Sequence, residues 1–137
     1  MRKTTMMLMG LLALLMMVSC GNSNTPRSVA EQSMQCLKEK KFDKYVDLVY
    51  FKEEAEGKKD LLEDKKASMK DLIQNKYNAS VQQNGSIKEF EFVDEEVKDS
   101  TAVVKMKVTY NSGTTKDEKV KLKMLPNGDW RIDIAGK

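Results

Sequence analysis

Apolar and polar residues alternate along the last third of the chain. Apolar side chains take every second position over residues 102–110, and the same alternation returns over residues 120–124 and 130–134. A period of two places successive side chains on opposite faces of a β-strand. Each segment therefore predicts a strand with one apolar face and one mostly polar face.

Four strands are predicted in all, over residues 88–97, 103–110, 119–125 and 130–134. In the first of them the apolar face carries Phe90 and Phe92. Asn127-Gly128 precedes the last strand and favours a tight hairpin, because this pair readily adopts positive φ. Since all the connections are short, we expect an antiparallel meander.

The pattern before the sheet has a helical period. Pro26 suits a helix start with Thr25 as N-cap, and an apolar stripe follows at the spacing of one helix face. A second, short helix is predicted from Phe42, and a third between Leu62 and Tyr77. Residues 51–60 are predicted as a loop or frayed turn. Residues 78–86, which contain Asn84-Gly85, are predicted as the break before the sheet.

Helices followed by a contiguous antiparallel sheet predict an α+β fold, with the N-terminal helices packed on one face of a curved four-stranded sheet. The opposite face would carry charged side chains of both signs, mainly lysine and glutamate. Such a face is soluble as it stands and is not typical of a large hydrophobic dimer interface.

The first twenty residues have the features of an export signal. Two basic residues precede an apolar segment over residues 6–18, which is too short to span a membrane. Ser19-Cys20 then resembles the lipobox of bacterial lipoproteins, in which the cysteine is lipidated on sulfur and becomes the N-terminus. We expect a signal peptide over residues 1–19, a lipidated Cys20 with a flexible tether over residues 20–26, and a single domain over residues 27–137.

Processing at Cys20 changes the charge balance. Residues 1–19 contain Arg2 and Lys3 and no acid, so the formal charge of +3 falls to 22 basic against 21 acidic residues. The chain is then nearly neutral, and its basic pI is not a signature of nucleic-acid binding.

Three segments together resemble a known family: Pro-Arg-Ser-Val-Ala at residues 26–30, Phe-Asp-Lys-Tyr at residues 42–45, and Asn-Gly-Asp-Trp-Arg-Ile-Asp at residues 127–133. The chain resembles the small lipoproteins of Bacteroidetes-type bacteria with a DUF4878-like domain, which is similar to the NTF2-like (cystatin-like) superfamily. The resemblance implies a sheet that wraps over the helices as a cone, often with a small-molecule pocket inside. It implies no defined function.

Enzymes of the NTF2-like type use acid–base pairs that commonly include His, Asp or Tyr, but this chain has no histidine. A carboxylate or a tyrosine with a strongly shifted pKa would have to replace it. Five residues are candidates for the interior or the rim of the pocket: Asp43, Tyr45, Asp47, Tyr50 and Tyr110. They do not assemble a nucleophile, a base and an orienting group, so no catalytic residue is predicted.

Metal, cofactor and nucleic-acid sites are not predicted either. Without histidine, and with Cys36 as the one cysteine besides Cys20, the chain has no zinc pattern. Cys36 lies beside an apolar stripe and is expected to be buried and inert. The lysines of the outer sheet face have no interleaved aromatic residues for base stacking.

These patterns predict a lipid-anchored lipoprotein of the cell envelope, without a cofactor, on the periplasmic side of the outer membrane. Its domain would bind a small apolar ligand or an envelope protein. Seven residues are the candidates to line the pocket: Tyr45, Tyr50, Phe90, Phe92, Met106, Tyr110 and Trp130. A pocket enzyme that uses Asp or Tyr and a structural accessory subunit with a filled core are the alternatives. The oligomeric state stays open.

Overall fold

Four helices precede four strands in residues 24–134, the part of the chain that the computed structural model describes. Cys20 and the expected signal peptide lie outside these residues. The helices are α1 (Pro26–Lys38), α2 (Phe42–Asp47), α3 (Lys52–Ala55) and α4 (Lys59–Asn84). None of them is long and apolar enough to cross a membrane.

Helix α1 begins where its capping residues predict. The Thr25 hydroxyl accepts a hydrogen bond from the Ser28 N–H at 3.1 Å, and Pro26 occupies the first turn. Val29 and Ala30 are completely buried on the inner face of the helix. Before the helix, the Asn24 side chain bonds both the N–H and the carbonyl of Trp130, so the start of the domain is tied to the last strand.

The region after α2 is more regular than the predicted loop. It contains the single-turn helix α3, and Phe51 in front of that helix is buried at 5 % exposure. Phe51 forms a second hydrophobic cluster with Val46, Val49 and Leu62. The prediction of a loop or frayed turn missed the buried Phe51, because the charged residues around it concealed this apolar anchor.

Helix α4 runs through the predicted break and ends only at Gly85. Tyr77 and Val81 continue the apolar stripe at intervals of four residues and pack on the core, which offsets the weak helix preference of the asparagines and serines around them. Gly85 has φ +83° and donates its N–H to the Val81 carbonyl. A Cβ at Gly85 would lie 3.3 Å from the Ser112 nitrogen.

The strands are β1 (Ile87–Lys98), β2 (Thr101–Tyr110), β3 (Thr115–Met124) and β4 (Trp130–Ile132), in the order β1-β2-β3-β4. All three pairings are antiparallel, which confirms the meander. Strand β3 begins four residues earlier than predicted. Its first residues are polar on both faces, although Lys116 and Glu118 pair with the fully buried Val108 and Met106 of β2.

The main core lies between the helices and one face of the sheet, as the alternation predicts. Val104, Met106 and Val108 of β2 have no exposed surface. Helix α1 packs directly on β1, β2 and β4, whereas α4 packs mainly on α2 and α3. The C-terminal half of α4 therefore stands off from the sheet, and this places a cavity between them.

Candidate ligand-binding cavity

A cavity of about 410 Å³ lies between the C-terminal half of α4 and the sheet. Helix α1 and Tyr45 of α2 close one side of it. Its walls combine apolar side chains with a small number of polar ones: Met34, Leu37, Tyr45, Ile73, Lys76, Tyr77, Ser80, Ile87, Tyr110, Glu118, Lys119, Val120, Lys121, Ile132, Asp133 and Ile134.

The short last strand keeps this space open. Strand β4 has three residues, and its pairing with β3 covers only residues 122–124 of that strand. On its other side Ile132 forms a parallel bridge with Val49. The preceding residues of β3, from Glu118 to Lys121, all line the cavity, so the cavity reaches the edge of that strand. Ile132 and Ile134, at the end of the described chain, form the wall next to that edge.

Polar groups from three elements meet at one end of the cavity. The Tyr110 hydroxyl of β2 donates a hydrogen bond to Glu118 Oε1 of β3 at 3.2 Å. Ser80 of α4 also hydrogen-bonds the Tyr110 side chain. Burial and the neighbouring Glu118 charge raise the pKa of Tyr110 to about 12, so this phenol keeps its proton at neutral pH.

Tyr77 brings a second hydroxyl to the same end. Its side chain is 7 % exposed, lines the cavity and packs edge-on against Phe42 at 5.6 Å between ring centroids. The Tyr77 hydroxyl is buried and has no hydrogen-bond partner within residues 24–134. Buried polar groups are nearly always paired, so this hydroxyl is the exceptional group in the cavity wall.

The other end of the cavity is apolar. Met34 and Ile73 are buried there, and Ile134 is half-buried. Burial also raises the pKa of the half-buried Tyr45 to about 12. The cavity thus has an apolar end and a hydroxyl-bearing end. The wall also includes three exposed lysines, Lys76, Lys119 and Lys121, and the half-buried Asp133.

Two of the seven residues proposed from sequence line this cavity, Tyr45 and Tyr110. Met106 and Trp130 are buried in the main core, at 0 % and 6 % exposure. The remaining three are half-buried: Phe90 and Phe92 pack against the core from β1, and Tyr50 lies outside the cavity wall.

Cations cover two of these half-buried rings. The Arg27 guanidinium lies 4.2 Å from the centroid of Phe92, and the Lys123 ammonium lies 4.8 Å from that of Tyr50. Both distances are within the range of a cation–π contact. The two rings are therefore part of the domain surface and do not border the cavity.

The cavity residues that sequence reasoning did not propose include the three at the hydroxyl-bearing end: Tyr77, Ser80 and Glu118. The spacing of α4 placed Tyr77 on a buried face but gave no sign that its hydroxyl lacks a partner. Ser80 fell in the predicted break, and Glu118 fell in a polar connection. The available signal for Tyr77 and Ser80 was the continued stripe through Val81, which extends the helix across the sheet.

The aspartates proposed for acid–base chemistry do not reach the cavity. Asp43 forms an ion pair with Lys70 at 2.7 Å, and Asp47 forms one with Lys66 at 3.2 Å, both on the helix surface. Among the three proposed tyrosines, Tyr45 and Tyr110 line the cavity with pKa values of about 12. A general base is most effective near the working pH, so these phenols are poorly matched to that role at pH 7.

Cys36 is half-buried and does not line the cavity, so the expectation of full burial was wrong. It borders a separate recess of about 230 Å³ near Glu39 and Lys41. Burial, followed by the Glu39 charge, raises the pKa of the Cys36 thiol, which disfavours the reactive thiolate. Residues 24–134 hold no cluster of three His, Cys, Asp or Glu side chains that could bind a metal ion.

A family model described as "Domain of unknown function (DUF4878)" matches residues 18–133. The chain belongs to the DUF4878 family. This match confirms the resemblance to a DUF4878 domain, and it assigns no activity. Among curated proteins, none matches the chain at a significant level.

The DUF4878 fold is similar to a crystal structure from Campylobacter jejuni, determined at 2.00 Å, of a protein provisionally described as an NTF2-like transpeptidase. The TM-score is 0.57 at 14 % identity, and the match covers 80 % of this chain and 98 % of the other. This likeness confirms the predicted α+β, NTF2-like fold. At that identity it shows the fold alone, and the description as a transpeptidase applies to the Campylobacter protein.

Proposed function

We propose that this chain is a lipid-anchored lipoprotein of the bacterial cell envelope whose DUF4878 domain binds a small, mainly apolar ligand without transforming it. The cavity between α4 and the sheet is the proposed binding site. Binding would occur on the periplasmic side of the outer membrane, with Cys20 carrying the anchor.

The observation that carries this proposal is the cavity itself. Its volume of about 410 Å³ is within the range of small-molecule sites, about 300–1,000 Å³. Such sites combine mostly apolar walls with a few polar groups that orient the ligand. The isoleucine-rich walls and the hydroxyl groups of Tyr77 and Tyr110 have this composition.

The position of the filled core also supports a ligand. Met106 and Trp130 occupy the interior on the side of the α1 start, and Phe90 and Phe92 pack beside them. A structural accessory subunit with a fully packed interior would have no cavity elsewhere. In this domain the aromatic residues fill one part of the interior, and the cavity is lined by a different set of side chains.

Native mass spectrometry tests ligand capture. A chain that begins at Gly21 keeps every described helix and strand and both hydrophobic clusters. It would be exported to the periplasm of a related bacterium and purified without detergent. We expect an additional mass that is released on denaturation. A bare chain mass in every preparation would contradict ligand capture and favour the alternative of an envelope protein partner.

The anchor rests on the apolar segment that ends at Ser19-Cys20, and the family match includes this cysteine. In cell fractionation, we expect the native protein in the membrane fraction and the Cys20→Ala variant outside it. Ser19→Ala is the matched control, because it keeps a small residue before the cysteine. Retention of Cys20→Ala in the membrane fraction after signal cleavage would contradict the lipid anchor.

A further inference from the structure

The chemistry of the ligand's polar group can be inferred from Tyr77. Tyr77 lines the cavity, and its hydroxyl is buried and has no partner within the described residues. An unpaired buried hydroxyl is costly, and a ligand atom that bonds it recovers that cost. The ligand therefore gains from a hydrogen-bonding group at this end of the cavity.

A negative charge lies at this end of the cavity. Glu118 lines the same wall and accepts the hydrogen bond of Tyr110, whose side chain interacts with Tyr77. A carboxylate or phosphate beside Tyr77 would be repelled by Glu118 in a partly desolvated site. The three lysines of the cavity wall are exposed, so water and salt weaken their attraction for such an anion.

A cationic group is not favoured either. Burying an ammonium ion is costly unless it is paired. The Glu118 carboxylate already accepts the Tyr110 hydroxyl and would have to be shared, and the three lysines of the cavity wall outnumber its two carboxylates and would repel a cation. A hydroxyl group is neutral, and it can donate and accept at once. It can therefore bond Tyr77 without introducing a charge.

The distance between the two ends sets the apolar part of the ligand. Glu118 lies four residues from Leu122, the β3 partner of Ile132 in the apolar wall. At a rise of about 3.3 Å per residue, this separation is about 13 Å. A ligand that contacts both ends needs an extended apolar body of about this length.

We propose, on the basis of the proposed function, that the cavity selects a neutral amphiphile with a hydroxyl head group. The head group bonds the Tyr77 hydroxyl, and Glu118 excludes acids of the same length. The apolar body lies along Met34, Ile73 and Ile134.

Competition with a hydrocarbon dye tests this assignment. Diphenylhexatriene has no polar atoms, so its fluorescence in the cavity reports apolar binding alone. Octanol, octanoate and octylamine would then be compared as competitors at neutral pH on the chain that begins at Gly21. We expect octanol to displace the dye at a concentration at least about tenfold below that of the two charged competitors.

Three variants separate the contributions of the wall. Tyr77→Phe should weaken octanol binding about threefold to tenfold relative to its effect on dye binding, since it removes one hydrogen bond that only octanol can make. Tyr50→Phe is the matched control, because it removes a hydroxyl outside the cavity wall and should not change the octanol affinity. Glu118→Gln should increase the affinity for octanoate relative to that for octanol, because it removes the negative charge of Glu118.

The two proposals fail in different ways. Absence of saturable dye binding to the wild-type chain would overturn the binding function itself. A second outcome is that the dye binds but octanoate competes as well as octanol, or that Tyr77→Phe leaves octanol binding unchanged. Either result would keep the apolar binding site and overturn the assignment of a hydroxyl head group.

Discussion

Replacing Tyr77 with phenylalanine removes one oxygen atom from the cavity wall and tests whether that hydroxyl is unpaired. In the ligand-free chain, burying a hydroxyl without a partner costs about 1–3 kcal/mol. Part of the gain from removing it is offset because the smaller phenylalanine leaves the volume of one oxygen atom unfilled. We therefore expect Tyr77→Phe to raise the free energy of unfolding by up to about 1 kcal/mol.

Tyr110→Phe is the matched comparison. Tyr110 lines the same cavity and is similarly buried, at 6 % exposure, but its hydroxyl donates to the Glu118 carboxylate at 3.2 Å. Hydrogen bonds to charged groups contribute about 1.5–3 kcal/mol. The same chemical change should therefore lower the free energy of unfolding by about this amount, the opposite sign from Tyr77→Phe.

Urea unfolding at neutral pH measures both variants, with the fluorescence of the buried Trp130 as the signal. The chain should first be unfolded and refolded, so that no bound ligand contributes to the native state. If Tyr77→Phe loses as much stability as Tyr110→Phe, the Tyr77 hydroxyl has a partner, and the reasoning about the head group fails.

Three further changes test other parts of the account. Tyr45 has its pKa raised from 10.0 to about 12, so the folded chain holds a proton that the unfolded chain loses in this window. The free energy of unfolding, measured in urea, should therefore fall from pH 10 to pH 12, and it should fall less steeply in Tyr45→Phe. An equal pH dependence in the two chains would contradict the raised pKa of Tyr45. Gly85→Ala should lower the stability measured by thermal unfolding by about 1–3 kcal/mol, because Gly85 has a positive φ and the Ser112 nitrogen lies close to the added Cβ. Gly57→Ala, where the added Cβ meets open space, should lower it less. Asn24→Ala should lower the free energy of unfolding in urea by about 1–3 kcal/mol, because it removes both hydrogen bonds to Trp130. Asn24→Asp keeps the acceptor oxygen and should lower it less. Equal decreases in the two variants would exclude the bond from the Trp130 N–H.

The sheet could be predicted because its burial is one-sided. Alternation from Ala102 to Tyr110 directly records which side chains face the helices, and the antiparallel order follows from the short connections. The signal is lost where the helices no longer cover the sheet. Lys116 and Glu118 are on the core-facing side of β3 yet remain polar, so the start of this strand could not be predicted.

The cavity could not be predicted in the same way. Its hydroxyl-bearing end brings together Tyr77 and Ser80 of α4, Tyr110 of β2 and Glu118 of β3, and no local pattern connects these elements. The sequence placed all large apolar residues in one core. It contained no information about the distance between α4 and the sheet, which decides whether the space between them is filled.

The most direct test of the binding site is methyl NMR of methionine during a titration with octanol. Met34 lines the cavity, whereas Met106 lies fully buried in the main core and does not border it. We predict a saturable change in the chemical shift of the Met34 methyl group and little change at Met106. No change at Met34, or equal changes at both residues, would contradict the account that this cavity is the ligand site.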